Sequence, residues 1–85
     1  MIPYYHRDFK KDYKKLGAAV QSRFEERLKL FLEDSFHPLL NNHQLHGEWE
    51  GYRSINITGD LRAIFKVEEE TAIFVAIDTH TNLYD

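Results

Sequence analysis

The hydrophobic period of this 85-residue chain changes at Gly51, and that change limits the folds it can adopt. Before Gly51, apolar side chains recur at helical spacing; after it, they alternate with a period of two. Helices followed by strands predict an α/β (α+β) domain of two layers, with two helices packed on a small antiparallel sheet. The expected order of elements is β-α-α-β-β-β.

Two amphipathic helices are predicted in the first half. The first covers residues 7–16, where apolar side chains fall at i, i+4 and i+7: Phe9, Tyr13 and Leu16. Gly17 is expected to end it, because glycine adopts the left-handed conformation of a helix C-terminus without steric cost. The second covers residues 18–34, and its apolar stripe is expected in the core: Val20, Phe24, Leu28, Phe31 and Leu32.

The strands are predicted from alternation and turn residues. Residues 1–6 form a first strand, with Pro3 acceptable only on an edge or near a strand start. Residues 35–50 lose all periodicity and are expected to be a long loop. Three strands follow, at 52–58, 61–68 and 71–78, and the first two are joined by a Thr58–Gly59–Asp60 turn. The sheet face opposite the helices is where a ligand could lie.

Composition excludes several classes of function. The chain has no cysteine, so disulfides, thiolate nucleophiles and cysteine-based metal sites are excluded. Its longest apolar run, residues 72–77, is far below the roughly 20 residues of a transmembrane helix. The N-terminus lacks the pattern of a signal peptide. We therefore expect one domain over residues 1–85, located in the cytoplasm.

Charge is divided unevenly along the chain. Residues 1–30 hold eight Lys and Arg against four acids, whereas residues 31–85 hold three bases against ten acids. The basic part could meet phosphates or an acidic protein. Solvated faces of two helices explain the same pattern, so charge alone only weakly indicates nucleic acid.

Three segments of the second half carry specific motifs. His43 to Arg53 reads H-x-L-x-G-x-W-x-G-Y-R, Gly59–Lys66 contains D-x-x-x-I-F-K, and Thr79–Tyr84 reads T-H-x-x-L-Y. In sequence, order and spacing over residues 43–84, these segments resemble the RelE/YafQ type of toxins from type II toxin–antitoxin systems, which have H-x-L-x-G-x-W-x-G-Y-R, D-x-x-x-I-[YF]-K and T-H-x-x-L-[FY] at these places.

The resemblance implies a RelE-like fold and a metal-independent endoribonuclease, an mRNA interferase that inhibits translation. It also implies two kinds of partner, a cognate antitoxin and mRNA on the ribosome, with no cofactor and no metal. The family's catalytic residues correspond to His80, His43, Asp60, Arg62 and Tyr84. RNA-binding residues are expected at Arg53, Lys66 and Asn56.

The implied chemistry suits these residue types. RNA cleavage without a metal requires removal of a proton from the 2′-OH and delivery of one to the 5′-oxygen. Histidine, with an ordinary pKa of about 6.5, can serve on either side. Arg62 could stabilise the phosphoryl oxygens, Asp60 could orient a histidine or hold Arg62, and Tyr84 could stack on a base or donate its hydroxyl.

One departure from the family leaves alternatives open. Asn56 stands where YafQ has a further histidine, and asparagine cannot transfer a proton. Two other hypotheses are a non-nuclease toxin of the ParE type, directed at gyrase, and a degenerate toxin retained for antitoxin binding. The spacing of His43 with His46, and of Asp78 with His80, makes zinc conceivable, but no regular ligand pattern supports it. Trp49 is expected to be an anchor of the core or loop rather than a stacking platform.

Overall fold

Five strands form one sheet in the spatial order β1-β5-β4-β3-β2. The computed structural model describes residues 1–84, apart from the side chain of Tyr84. The strands are β1 (Ile2–Tyr5), β2 (His43–Gln44), β3 (Arg53–Asn56), β4 (Leu61–Glu68) and β5 (Thr71–Thr79). β1 pairs with β5 in parallel, and the other neighbours are antiparallel.

The helices are α1 (Arg7–Lys14), α2 (Ala18–Glu33) and α3 (His80–Tyr84), with 3₁₀ turns at Pro38–Leu40 and Gly47–Trp49. The predicted α+β class and the β-α-α-β-β-β order are confirmed. β2, α3 and both 3₁₀ turns are additional, and they occupy the predicted loop and tail. Elements of two to five residues are too short to show a hydrophobic period, so the sequence did not indicate them. None of the described helices has the length and apolar character needed to cross a bilayer.

An aromatic cluster joins the two long helices to the sheet. Phe74 of β5 is fully buried, and its ring centroid lies 5.3–5.9 Å from those of five other aromatic residues: Tyr5, Phe9, Phe24, Phe31 and Phe65. Offset and edge-to-face arrangements at this distance add to the hydrophobic contribution of the buried area. The position of α1 and α2 on the sheet therefore depends on this cluster.

Two details of the helix prediction are wrong. Leu32 is 39% exposed, because at 100° per residue it falls at the flank of the stripe formed by the buried Phe24, Leu28 and Phe31. Gly17 has φ −66° and serves as the extended N-cap of α2, so α1 ends at Lys14, with Lys15 as a right-handed C-cap and no left-handed glycine.

Pro3 lies on an edge strand, as expected. The N–H groups of Ile2 and His6 donate to β5-side carbonyls of Glu70 and Phe74, at 2.7 and 2.9 Å. The N–H groups of successive residues point to opposite edges of a strand, so Ile2 and His6 share the β5 side and Pro3 directs its missing donor outward. The proline thus costs no hydrogen bond and limits further pairing at this edge.

The register divides the sheet into two faces. Phe65, Ala63 and Leu61 of β4 belong to the core beneath the helices. The residues between them, Arg62, Ile64 and Lys66, point to the opposite side, which we call the open face. This face is only partly open, because Ile64 and Ser54 on it are fully buried.

The aromatic cluster gives a direct test of the fold. Replacing Phe74 with Ala leaves a cavity among five rings and should lower the free energy of unfolding by about 3–5 kcal/mol. Phe36 is 66% exposed, so Phe36→Ala should lower it by less than about 1 kcal/mol. Urea unfolding followed by circular dichroism measures both; similar losses in the two variants would contradict this assignment of the core.

Candidate functional site

His43 lies on the open face, in β2. It is paired with Ser54 of β3, which belongs to the face that carries Ile64. Its Nδ1 atom lies 2.7 Å from the carbonyl oxygen of Asn41. Because a carbonyl oxygen only accepts, Nδ1 must donate, which leaves the lone pair of a neutral ring on Nε2. The backbone therefore selects the tautomer in which Nε2 can accept a proton.

His80 is the first residue of α3, and the residues around it fix its backbone. Its N–H donates to the carbonyl of Asp60 at 2.9 Å, in the turn between β3 and β4. The Thr79 hydroxyl accepts the Asn82 N–H at 3.3 Å, which caps the helix. The Asp78 carboxylate accepts a hydrogen bond from the backbone N–H of Thr79 at 2.7 Å and another from the side-chain amide of Asn82 at 3.1 Å. The threonine before His80 is thus a cap that starts the helix at the histidine.

The two histidines line one groove. It has a volume of about 280 Å³ and is lined by residues of β2, of the segment after it and of α3: His43, Gln44, Leu45, His46 and His80. His46 lies 3.7 Å from the carboxylate of Glu50, and both are exposed. Within residues 1–84 as described, no three His, Asp or Glu side chains are placed to bind one metal ion. The groove therefore brings together candidate proton-transfer groups that are 37 positions apart in sequence.

Arg62 is held by backbone carbonyls rather than by a carboxylate. Its Nη1 atom donates to Thr58 at 3.1 Å and to Leu61 at 3.2 Å, and Nη2 donates to Gly59 at 3.3 Å. Among the described residues, Arg62 has no ion pair, and Asp60 does not hold its guanidinium. The guanidinium is therefore half-buried and oriented, and its charge is available to an anion.

Asn56 and Asp78 flank Arg62 across the sheet. Asn56 is paired with it from β3 and Asp78 from β5, so the three form one row on the open face. The Asn56 Oδ1 atom is buried and has no hydrogen-bond partner among the described residues. A buried unsatisfied acceptor costs free energy unless a ligand or water supplies a donor. The position of Asp78 was not predictable from the turn, because counting back from it pairs Arg62 with Ile77, and the register shift between Ile64 and Phe65 brings Asp78 there instead.

The two other predicted RNA-binding residues lie apart from that row. Lys66 is on the open face, but a hydrogen bond from its Nζ to Glu68, at 3.1 Å, raises its pKa and compensates its charge.

Arg53 is paired with Phe65 and therefore points toward the helix side. Its Nε donates to Asn42 at 2.7 Å, and its guanidinium lies 5.3 Å from the Phe36 ring. The structure does not bring Arg53 to the side chains of the groove. The role expected of Tyr84 depends on a side chain outside the described residues.

Two further histidines serve the backbone. The Nδ1 atoms of His6 and His37 each accept the N–H two residues later, from Asp8 and Leu39, at 3.1 Å. They cap α1 and the first 3₁₀ turn. These rings carry their proton on Nε2 when neutral, the opposite tautomer to that of His43.

Solved structures share this fold over nearly the whole chain. YafQ from E. coli strain BL21(DE3) superposes with a TM-score of 0.82 at 21% identity, covering 98% of this chain and 97% of that one. A YoeB/ParE toxin from Agrobacterium tumefaciens gives 0.78 at 19% identity, covering 94% and 99%. A chain of the E. coli DinJ–YafQ toxin–antitoxin complex gives 0.78 at 22% identity, covering 98% and 96%. The fold is thus that of the small α+β toxins.

A family model gives the narrower assignment. The model described as the bacterial toxin of type II toxin–antitoxin system, YafQ, matches residues 2–85. The chain belongs to this family, as its three sequence segments predicted. No curated protein matches the sequence.

The tautomers of the histidines can be measured directly. At about pH 8.5, where an ordinary imidazole is neutral, long-range ¹H–¹⁵N NMR should show the proton of His43 on Nδ1. The same spectrum should show the protons of His6 and His37 on Nε2, because their Nδ1 atoms accept backbone N–H groups. A proton on Nε2 of His43 would contradict its contact with Asn41 and its suitability as a base.

Proposed function

We propose that this toxin is a metal-independent endoribonuclease that cleaves mRNA, bound to the ribosome in the cytoplasm, and so inhibits translation. The observation that carries the proposal is the groove that both His43 and His80 line, on the sheet face that also carries the row with Arg62. A binding toxin would not require two histidines on one groove together with an arginine to which no described carboxylate is bound.

The cleavage step assigns one proton transfer to each histidine. The Nε2 atom of His43 takes the proton of the 2′-OH, and the resulting oxygen attacks the adjacent phosphorus. The bond from phosphorus to the 5′-oxygen breaks, and protonated His80 gives its proton to that oxygen. The products are a 2′,3′-cyclic phosphate and a 5′-hydroxyl end. Arg62 stabilises the charge on the phosphoryl oxygens of the transition state.

Asn56 takes part as an orienting group. Its buried Oδ1 acceptor has no partner in the part of the chain that the structure describes, and the 2′-OH of RNA is a donor that could satisfy it. The side chain cannot move a proton, so the two histidines carry the acid–base chemistry alone. Asp60 contributes through its backbone carbonyl, which holds His80.

The partner we propose is an acidic antitoxin segment on α1 and α2. E. coli YafQ has been solved in complex with DinJ. In this chain, a groove of about 220 Å³ between the two helices is lined mainly by aromatic rings, with lysines at its rim: Tyr5, Phe9, Tyr13 and Phe24, with Lys10 and Lys14. Burial and a hydrogen bond to Glu25 raise the pKa of Tyr13 to about 12, so its hydroxyl remains a donor. Relief of toxicity by a co-expressed neighbouring gene product that co-purifies with the chain would test this pairing.

Substitution of His80 tests the nuclease proposal. His80→Ala should lower the rate of mRNA cleavage by about 10²–10⁴-fold, the usual effect of losing a general acid. The free energy of unfolding of this variant should hardly change, because the His80 side chain is exposed and the hydrogen bond to Asp60 is made by the backbone N–H. Primer extension on mRNA, with folding checked by circular dichroism, measures both effects.

The matched control is His6→Asn. It removes a histidine outside the groove, and asparagine keeps a side-chain acceptor for the cap of α1. This variant should cleave at the wild-type rate and arrest growth. If folded His80→Ala and His6→Asn proteins cleave equally, His80 has no role; if the wild type arrests growth without cutting mRNA, a non-nuclease toxin is the better hypothesis.

A further inference from the structure

His43 and His80 are held on short elements that depend on the rest of the chain. His43 belongs to the two-residue strand β2, and His80 begins the five-residue helix α3. A helix of this length does not form by itself in water, because the cost of nucleation exceeds what one turn of hydrogen bonds returns. The relative position of the two rings is therefore set by contacts that these elements make elsewhere.

The beginning of α3 is fixed to the sheet. The His80 N–H is bonded to Asp60, and Asp78 holds the residues around the cap. These bonds connect α3 to β5 and to the turn between β3 and β4. None of them connects it to residues 43–52, the segment that carries His43.

Trp49 makes that connection. Its indole N–H donates to the carbonyl of Leu83, at 3.2 Å and across 34 residues of sequence. Leu83 is in the last turn of α3, where carbonyl groups lack N–H donors within the helix, so the indole N–H acts as a cap supplied by another segment. The bond joins the segment after β2 to the helix that carries His80.

The Trp49 ring is itself anchored on the sheet. It packs edge-on against Tyr52, with centroids 5.5 Å apart and planes at 79°. Tyr52 in turn lies beneath the ammonium of Lys66, 5.8 Å from its ring centroid. Trp49 therefore connects the end of α3 to β4 through Tyr52, the residue before β3.

We infer that Trp49 is a positioning residue of the nuclease site: its hydrogen bond to Leu83 sets the place of His80 relative to His43. The inference rests on the proposed function and goes beyond it, because Trp49 does not line the groove. Loss of the N–H leaves His80 present but less often in the arrangement that cleavage needs, and misplacement on the order of 1 Å can reduce a rate by about 10²-fold.

The genetic test is a double-mutant cycle. Trp49→Phe keeps an aromatic ring and removes the donor, and it should lower the cleavage rate at saturating RNA by about 10-fold, with KM changed by less than about 2-fold. If Trp49 acts through His80, adding Trp49→Phe to His80→Ala should change the residual rate by less than about 2-fold. A purely structural role would lower both backgrounds by the same factor and would overturn the inference.

The matched control is Tyr52→Phe, which changes the partner ring of Trp49 but leaves the hydrogen bond from Trp49 to Leu83 intact. The cleavage rate of this variant should stay within about 2-fold of the wild-type rate. The outcomes also separate the two proposals. If His80→Ala is as active as wild type, the nuclease proposal fails. If His80→Ala is inactive and Trp49→Phe is fully active, only the role of Trp49 fails.

A second substitution covers the case in which Trp49→Phe does not fold. Trp49 is the one tryptophan of the chain, so biosynthetic replacement with benzothienylalanine changes this residue alone. That analogue keeps the shape of the ring system and replaces the N–H with sulfur. Amide exchange at residues 80–83 should become faster while the amides of β4 remain protected, and cleavage should fall about 10-fold. Unchanged exchange and cleavage would overturn the inference.

Discussion

The pairing of β4 between β3 and β5 is the constraint on which the rest of the structure depends. Side chains alternate along β4, so Phe65 lies under the helices and Arg62 lies on the open face, next to Asn56 of β3. A one-residue register shift between Ile64 and Phe65 lets β5 place Phe74 beside Phe65 and Asp78 beside Arg62. A slip of one residue would expose the aromatic side chain and bury the arginine. The same hydrophobic packing that stabilises the fold therefore fixes the composition of the site.

Electrostatics limits how the proposed site can hold RNA. Residues 31–85 carry ten acids against three bases, and two of those bases, Arg53 and Lys66, are occupied by protein partners. Arg62 is the remaining one, and backbone carbonyls orient it without neutralising its charge. Such a surface favours a specific contact with one phosphate over general attraction to nucleic acid. The basic residues of α1 lie on the opposite side of the sheet, where a separate partner can use them.

Much of this arrangement was predictable from the sequence, because it follows from periodicity. The helices, the last three strands and the position of Arg62 all come from counting apolar residues, and the motif around His80 indicated the family. The helix-side orientation of Arg53 was also predictable, since it has the same parity as Ile55 in β3, yet it was overlooked.

The remaining features depend on contacts between distant residues that no local pattern encodes. Trp49 donates a hydrogen bond to Leu83, and one groove is lined by both His43 and His80. Each of these features requires segments more than thirty positions apart to fold together. The prediction that Gly17 ends the first helix was wrong for another reason. Glycine is acceptable both at the C-terminus of one helix and as the N-cap of the next. The residue type alone could not distinguish the two roles.

The chemical nature of the RNA ends tests the central claim most directly. Cleavage should be carried out with purified toxin and ribosome-bound mRNA, and the products should be analysed by end-specific ligation and mass spectrometry. Attack by the 2′-oxygen, with acid–base catalysis by two histidines, predicts fragments with 2′,3′-cyclic phosphate and 5′-hydroxyl ends. Fragments with 5′-phosphate and 3′-hydroxyl ends would contradict it, because they require attack by water instead of the 2′-oxygen.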